Sequence, residues 1–204
     1  MGNRWRSAAA LAAATMVLLS VPSRAGTLSY ADPADDATAV AETQAPRPSD
    51  PELDLLDVSW STSADELVVT TSLTALGDPA ASDGWAIGHY FTYEDLRFEV
   101  LVQSSGAATS TVFGPSGVYL RPAGDSTTEY PCVCRFTAHP DRPAVTAHIE
   151  LHSIVSAVRA SDPSLPRPAA GSHFTELETT SYRILGVLLS ADHAIAPEGA
   201  SLVV

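Results

Sequence analysis

Leu53-Asp54-Leu55-Leu56-Asp57-Val58-Ser59-Trp60-Ser61, then Glu66-Leu67-Val68-Val69-Thr70-Thr71-Ser72-Leu73 after a polar break, is the stretch that decides the fold. In an extended chain successive side chains point to opposite faces. Leu56, Val58 and Trp60 therefore share one face, and Asp57, Ser59 and Ser61 share the other. The second run is dense in β-branched residues, which suit a pleated surface, and Thr62-Ser63-Ala64-Asp65 supplies the turn between them. Together they predict an antiparallel hairpin with one wet and one buried side.

The same period recurs along the chain. Leu96, Phe98, Val100 and Val102 alternate with Arg97, Glu99 and Gln103. Tyr130, Cys132, Cys134 and Phe136 oppose Arg135 and Thr137, and Val145, Ala147, Ile149 and Leu151 oppose Thr146, His148, Glu150 and His152. Further strands are predicted over 85–92 and 181–189, and a short helix over 153–159, where Ile154, Val155 and Val158 fall at helical spacing. Gly-, Pro- and Asp-rich loops separate these runs, and no strand–helix–strand repeat supports a parallel sheet. The expected fold is all-β, a two-sheet antiparallel sandwich of jelly-roll or immunoglobulin-like type.

Upstream of this domain the chain reads as an export signal. Arg4 and Arg6 precede an apolar run from Ala8 to Val21, and Ser23-Arg24-Ala25 places small residues at the positions leader peptidase requires. The run has fourteen residues, against the roughly 20 needed to span a bilayer as a helix, so no stable membrane insertion is expected after cleavage. The expected organisation is a signal peptide over 1–25, an acidic Pro- and Ala-rich linker over 26–50, and the sandwich over 51–204. The expected location is secreted, extracellular or in the cell envelope.

Losing Arg4, Arg6 and Arg24 with no acid takes the formal net charge of −13 three units lower, to −16, and the chain has no lysine. Such a surface repels phosphate backbones and anionic headgroups, which argues against nucleic-acid and membrane-surface partners.

With those strands in place, the chain resembles the secreted bacterial β-sandwich modules of the DOMON-like, family 9 carbohydrate-binding and glucodextranase C-terminal type. The resemblance rests on Asp32-Pro33-Ala34-Asp35-Asp36, on Leu53 to Trp60, on Glu66 to Thr71, and on Ala191-Asp192-His193-Ala194 near the end. It departs at His148-Ile149-Glu150-Leu151-His152, where relatives often carry Val-Pro-Leu, and at Cys132 and Cys134. The resemblance implies a sandwich and a binding role; it does not carry a ligand preference across.

Four constellations could carry chemistry. Trp85, Tyr90 and Tyr93 are candidate ligand-stacking residues, since flat rings suit sugar faces. Alternation puts Trp85, Ile87, His89, Phe91 and Tyr93 on one face and Tyr90 on the other, and Ile87 and Phe91 give the first face the character of core. Asp32, Asp35 and Asp36 offer hard oxygens that suit calcium, or are simply a solvated acidic segment. His148, Glu150 and His152 fall on one face of a predicted strand, a set that suits zinc, copper or iron but that an exposed strand also shows. Cys132 and Cys134 allow a disulfide with a kink at Pro131, two buried thiols, or pairing with another chain.

No Gly-x-Ser-x-Gly, His-Glu-x-x-His or phosphate-binding glycine loop occurs. The reading that follows is a secreted, non-catalytic binding or accessory module of carbohydrate-binding type, with a polysaccharide partner. The alternative is a cell-envelope structural or interaction domain whose partner is an envelope protein, and the third is a metal-binding secreted protein.

Overall fold

The computed structural model describes residues 26–34, 53–76, 84–104, 116–139, 141–184 and 188–204. In chain order the elements are β1 (Thr27–Ala31), β2 (Leu55–Thr62), β3 (Glu66–Leu73), β4 (Trp85–Tyr93), β5 (Leu96–Ser104), β6 (Gly117–Pro122), β7 (Cys134–His139), β8 (Ala144–Glu150), α1 (Leu151–Ser161), β9 (His173–Ile184), β10 (Leu188–Ile195) and β11 (Ser201–Val203). A five-stranded sheet runs β1-β2-β3-β8-β7, and a six-stranded sheet runs β10-β9-β4-β5-β6 with β11 also on β9. Their pairings are antiparallel. The expected two-sheet sandwich is the observed fold.

The core lies between the sheets. Val58, Trp60, Leu67, Val69, Val145, Ala147 and Ile149 face inward from one side, and Ile87, Phe91, Phe98, Val100, Leu120, Phe174 and Leu177 from the other. Rings interlock in this space: within the six-stranded sheet Phe91 meets Phe174 at 4.9 Å and Phe98 at 5.5 Å between centroids, and Trp85 reaches across to Phe136 of the other sheet edge-on at 6.2 Å. Each such side chain contributes about 2 kcal/mol by leaving water.

Several boundaries differ from expectation. Residues 27–31 are not linker. They form β1 against β2, with Tyr30 buried beside Val58 and Leu28 opposite Trp60. Two well-placed apolar side chains on an edge strand outweigh the polar composition around them. In β2 a bulge between Leu55 and Asp57 shifts the register, so Leu55 is fully buried where Leu56 was expected. The predicted strand through Leu151 ends at Glu150, because apolar spacing changes there from two to three and four. Leu151, Ile154, Ala157 and Val158 then bury one face of α1. The stretch over 181–189 is two strands, β9 and β10, rather than one, and β9 begins as early as His173.

Cys132 and Cys134 are joined as a disulfide with Cα atoms 5.3 Å apart. Both pack with Tyr130 and Phe136 against the core, on the face that alternation assigns to them. Cys132 lies ahead of β7, and the non-strand backbone at Pro131–Val133 brings the two sulfurs together.

One titratable group sits in the middle of the core. His89 is fully buried; its Nδ1 is 3.1 Å from Thr179 Oγ1, and its ring meets Trp60 edge-on at 5.8 Å. It is the hydrogen-bonded core histidine that its apolar neighbours imply. Burial disfavours the imidazolium and lowers its pKa from 6.5 to about 3. The unfolded chain therefore binds a proton below pH 6.5 that the folded chain refuses, and stability falls with acidification through that window. The slope from this group is about 1.4 kcal/mol per pH unit. Urea unfolding followed between pH 6.5 and 5, above the range where carboxylates contribute most, should show this slope. His89→Leu should flatten it by one proton, and an unchanged slope would contradict the assignment.

Candidate functional site

The outward face of the six-stranded sheet is unusual for a wet surface, and its composition follows from register. On β4, Ala86, Gly88, Tyr90 and Thr92 alternate outward while Trp85, Ile87, His89, Phe91 and Tyr93 face the core. On β9, Phe174 and Leu177 are both inward though three residues apart. A bulge opposite Tyr90 and Thr92 takes up the extra residue, and Glu176 sits there at φ 49°. From Leu177 onward the alternation is reset, so Glu178, Thr180 and Tyr182 belong to the outer face. Left-handed backbone at a non-glycine residue costs about 1–2 kcal/mol, offset here in part by the hydrogen bond from Thr92 Oγ1 to Glu176 Oε2 at 2.7 Å.

Register then lines up Arg121, Glu99, Tyr90, Glu178 and Ile195 as one row across five strands. Tyr90 donates its hydroxyl proton to Glu99 Oε1 at 2.9 Å and lies 2.6 Å from the Tyr182 hydroxyl. Arg121 Nε donates to Glu99 Oε2 at 2.6 Å. This ion pair is held out of water: the side chains are 13% and 5% exposed. Burial first, then the Glu99 charge, raises the Tyr90 pKa, so its phenol stays protonated; burial likewise raises that of Tyr182. Tyr119 and Tyr182 pack over Ala86 and Leu101 on the same face.

Gly88 makes this arrangement possible. A Cβ there would lie 2.9 Å from Glu99 Oε1 and 3.0 Å from the Tyr90 hydroxyl. Its bare backbone is the floor over which the carboxylate and the phenol meet.

A second set continues the row. Arg97 pairs with Glu178 and also stands 5.6 Å over the Tyr90 ring, and His193 Nε2 lies 2.7 Å from Glu178 Oε1. Arg97, Glu178, Ile195 and Glu198 border a cleft of about 630 Å³. Ile195, 63% exposed, is the apolar end of the row.

The sequence candidates are distributed as follows. Tyr90 belongs to the outer face. Trp85 and Tyr93 do not: they are 3% and 2% exposed in the core, where Trp85 packs on Phe136 and Tyr93 on Phe174, so neither is a ligand platform. His148 and Glu150 share neither a strand nor a common metal centre with His152. His152 is on α1 and pairs with Glu150 at 2.9 Å, while His148 lies 3.2 Å from Glu66, which also holds Arg135. Glu66 is held below its ordinary pKa: burial opposes this, and the His148 and Arg135 interactions outweigh it. Among the described residues no group of three or more His, Cys, Asp or Glu is placed to hold a metal ion. Asp32 follows β1, with its backbone N–H donating to Leu56 O at 2.8 Å, and Asp35 and Asp36 lie outside the described residues.

Glu99, Arg121, Tyr182, Glu178 and His193 were not singled out by sequence. Alternation places Glu99 outward, but only strand order reveals that Arg121 and Tyr182 converge on it.

A buried ion pair contributes little net stability, yet breaking one partner costs about 3–5 kcal/mol. Glu99→Ala is therefore expected to lower unfolding stability by that order in urea titration. The double variant Glu99→Leu/Arg121→Met should recover most of it.

Comparison of the chain with protein-family models, with curated proteins and with solved structures returned no match.

Proposed function

We propose that this protein is a secreted, non-catalytic binding module that takes a saccharide on the outer face of the six-stranded sheet. The observation that carries the reading is the Glu99–Arg121 pair, kept out of water beside the Tyr90 and Tyr182 hydroxyls on a face where solvation would cost nothing. An ion pair desolvated at an outward surface is poor stabilisation, and it is well suited to fixing the direction of a ligand. Saccharides present apolar ring faces and hydroxyl rims. Tyrosine rings take the former, while carboxylate and guanidinium groups take the latter. The two carboxylates of the row are already committed to arginines, Glu99 to Arg121 and Glu178 to Arg97, which fits recognition better than proton transfer.

The second reading is a protein ligand of the cell envelope, and exposed Ile195 at the end of the row favours it. An apolar anchor beside polar partners is the usual make-up of such contacts.

Affinity electrophoresis through gels containing neutral, acidic and amino polysaccharides separates the two. Retardation of the parent protein is expected on at least one polymer. Tyr90→Ala and Tyr182→Ala should each weaken it about tenfold, the loss of one stacking ring and its hydroxyl. Tyr90→Phe should retain part of it, and Trp85 variants are uninformative because they disturb the core. Free migration on every polymer, or retardation indifferent to Tyr90 and Tyr182, would refute the saccharide reading.

A further inference from the structure

Gly26 lies where the free edge of the five-stranded sheet meets the six-stranded one. Its N–H is 3.2 Å from the carbonyl oxygen of Val203 on β11 and 3.0 Å from Thr62 Oγ1 on β2. Thr62 is buried, its hydroxyl donates to Val203 O at 2.5 Å, and its own N–H donates to Gly26 O at 3.0 Å. One amide proton thus faces two acceptors, one from each sheet. No side chain fits: a Cβ on residue 26 would lie 2.5 Å from Val203 O and 2.8 Å from Val203 N.

Gly26 is also the residue that follows Ser23-Arg24-Ala25, the small-x-small pattern at the end of the apolar leader. Two independent lines meet at one peptide bond. We infer that proteolytic processing between Ala25 and Gly26 creates an α-ammonium group that docks on Val203 and Thr62 and closes the edge of the sandwich. Water is the co-reactant. The Ala25–Gly26 C–N bond breaks, the water hydroxyl goes to the Ala25 carbonyl carbon, and its proton goes to the Gly26 nitrogen. At neutral pH the released acid ionises and the amine takes up a further proton. Three ammonium protons then serve the two acceptors that one amide proton shared, as charge-assisted hydrogen bonds of greater strength.

The inference rests on the export part of the proposed function and not on the saccharide. It has a chemical consequence. The chain contains no lysine, so the Gly26 ammonium is the sole primary amine of the processed protein, and docking withdraws it from amine-directed reagents.

The full chain, expressed in a bacterium with its own export machinery, provides the test. Intact mass of the exported protein should match a chain starting at Gly26, with a single site of reductive methylation. Methylation of the native protein should be at least about tenfold slower than in denaturant, as charge-assisted hydrogen bonds to a buried acceptor imply. Thr62→Val should accelerate native methylation, and Thr62→Ser, which keeps the hydroxyl, should not. If Thr62→Val fails to accumulate, the native-to-denatured ratio of the parent protein decides. A chain retained at full length overturns the export reading and this inference together. Export with a different first residue, equal methylation rates in native and denatured protein, or equal native rates in the two Thr62 variants overturns the docked terminus alone.

Discussion

The carboxylate of Asp192 accepts a hydrogen bond from the Leu55 N–H at 2.6 Å, tying a bulge in one sheet to a bulge in the other. The neighbouring backbone is held the same way: Ser181 Oγ donates to Leu53 O at 2.7 Å, and Thr74 Oγ1 donates to Asp54 Oδ2 at 2.6 Å. The Leu55–Asp192 and Leu53–Ser181 bonds are buried at the seam of an apolar sandwich, where an unmade hydrogen bond costs about 1–3 kcal/mol. Slipping β2, β9 or β10 by one residue in its ladder would break the seam and turn that strand's side chains to the opposite face. The seam therefore selects one register from those the apolar pattern would tolerate.

The outer face inherits that choice. Asp192 faces inward, so its neighbour His193 faces outward and reaches Glu178. The bulge at Glu176 acts in the same way on β9, turning Glu178 and Tyr182 toward Arg97 and Tyr90. Five strands deliver the components of one polar row, and the contributions of β9 and β10 depend on irregularities in the ladder. Among the described strands, two of the three bulges adjoin this face, as expected if they re-aim side chains.

The two faces of β4 show why aromatic residues in a strand are ambiguous. Trp85, Phe91 and Tyr93 are equivalent to Tyr90 in chemistry and differ only in parity. Parity sends the first three into the core, where they stabilise by burial, and leaves Tyr90 among Glu99, Tyr182 and Arg97. His89 follows the core parity too, and its imidazole carries the energetic consequence of that position as a strongly lowered pKa.

Alternation along the sequence was sufficient for the sandwich itself, because burying one face of each strand is a local demand that composition expresses directly. It was sufficient also for the inward setting of Cys132, Cys134, Tyr130 and Phe136, and for His89 as a core residue. It failed at β1, where two apolar contacts recruit a polar segment into the sheet. It failed again at Leu55, where a bulge changes parity, and at His152, where the period passes from strand to helix. The outer-face row was beyond it altogether. Arg121, Glu99, Tyr90 and Glu178 come from four strands, and their convergence depends on strand order and register, which long-range pairing sets and no local pattern encodes.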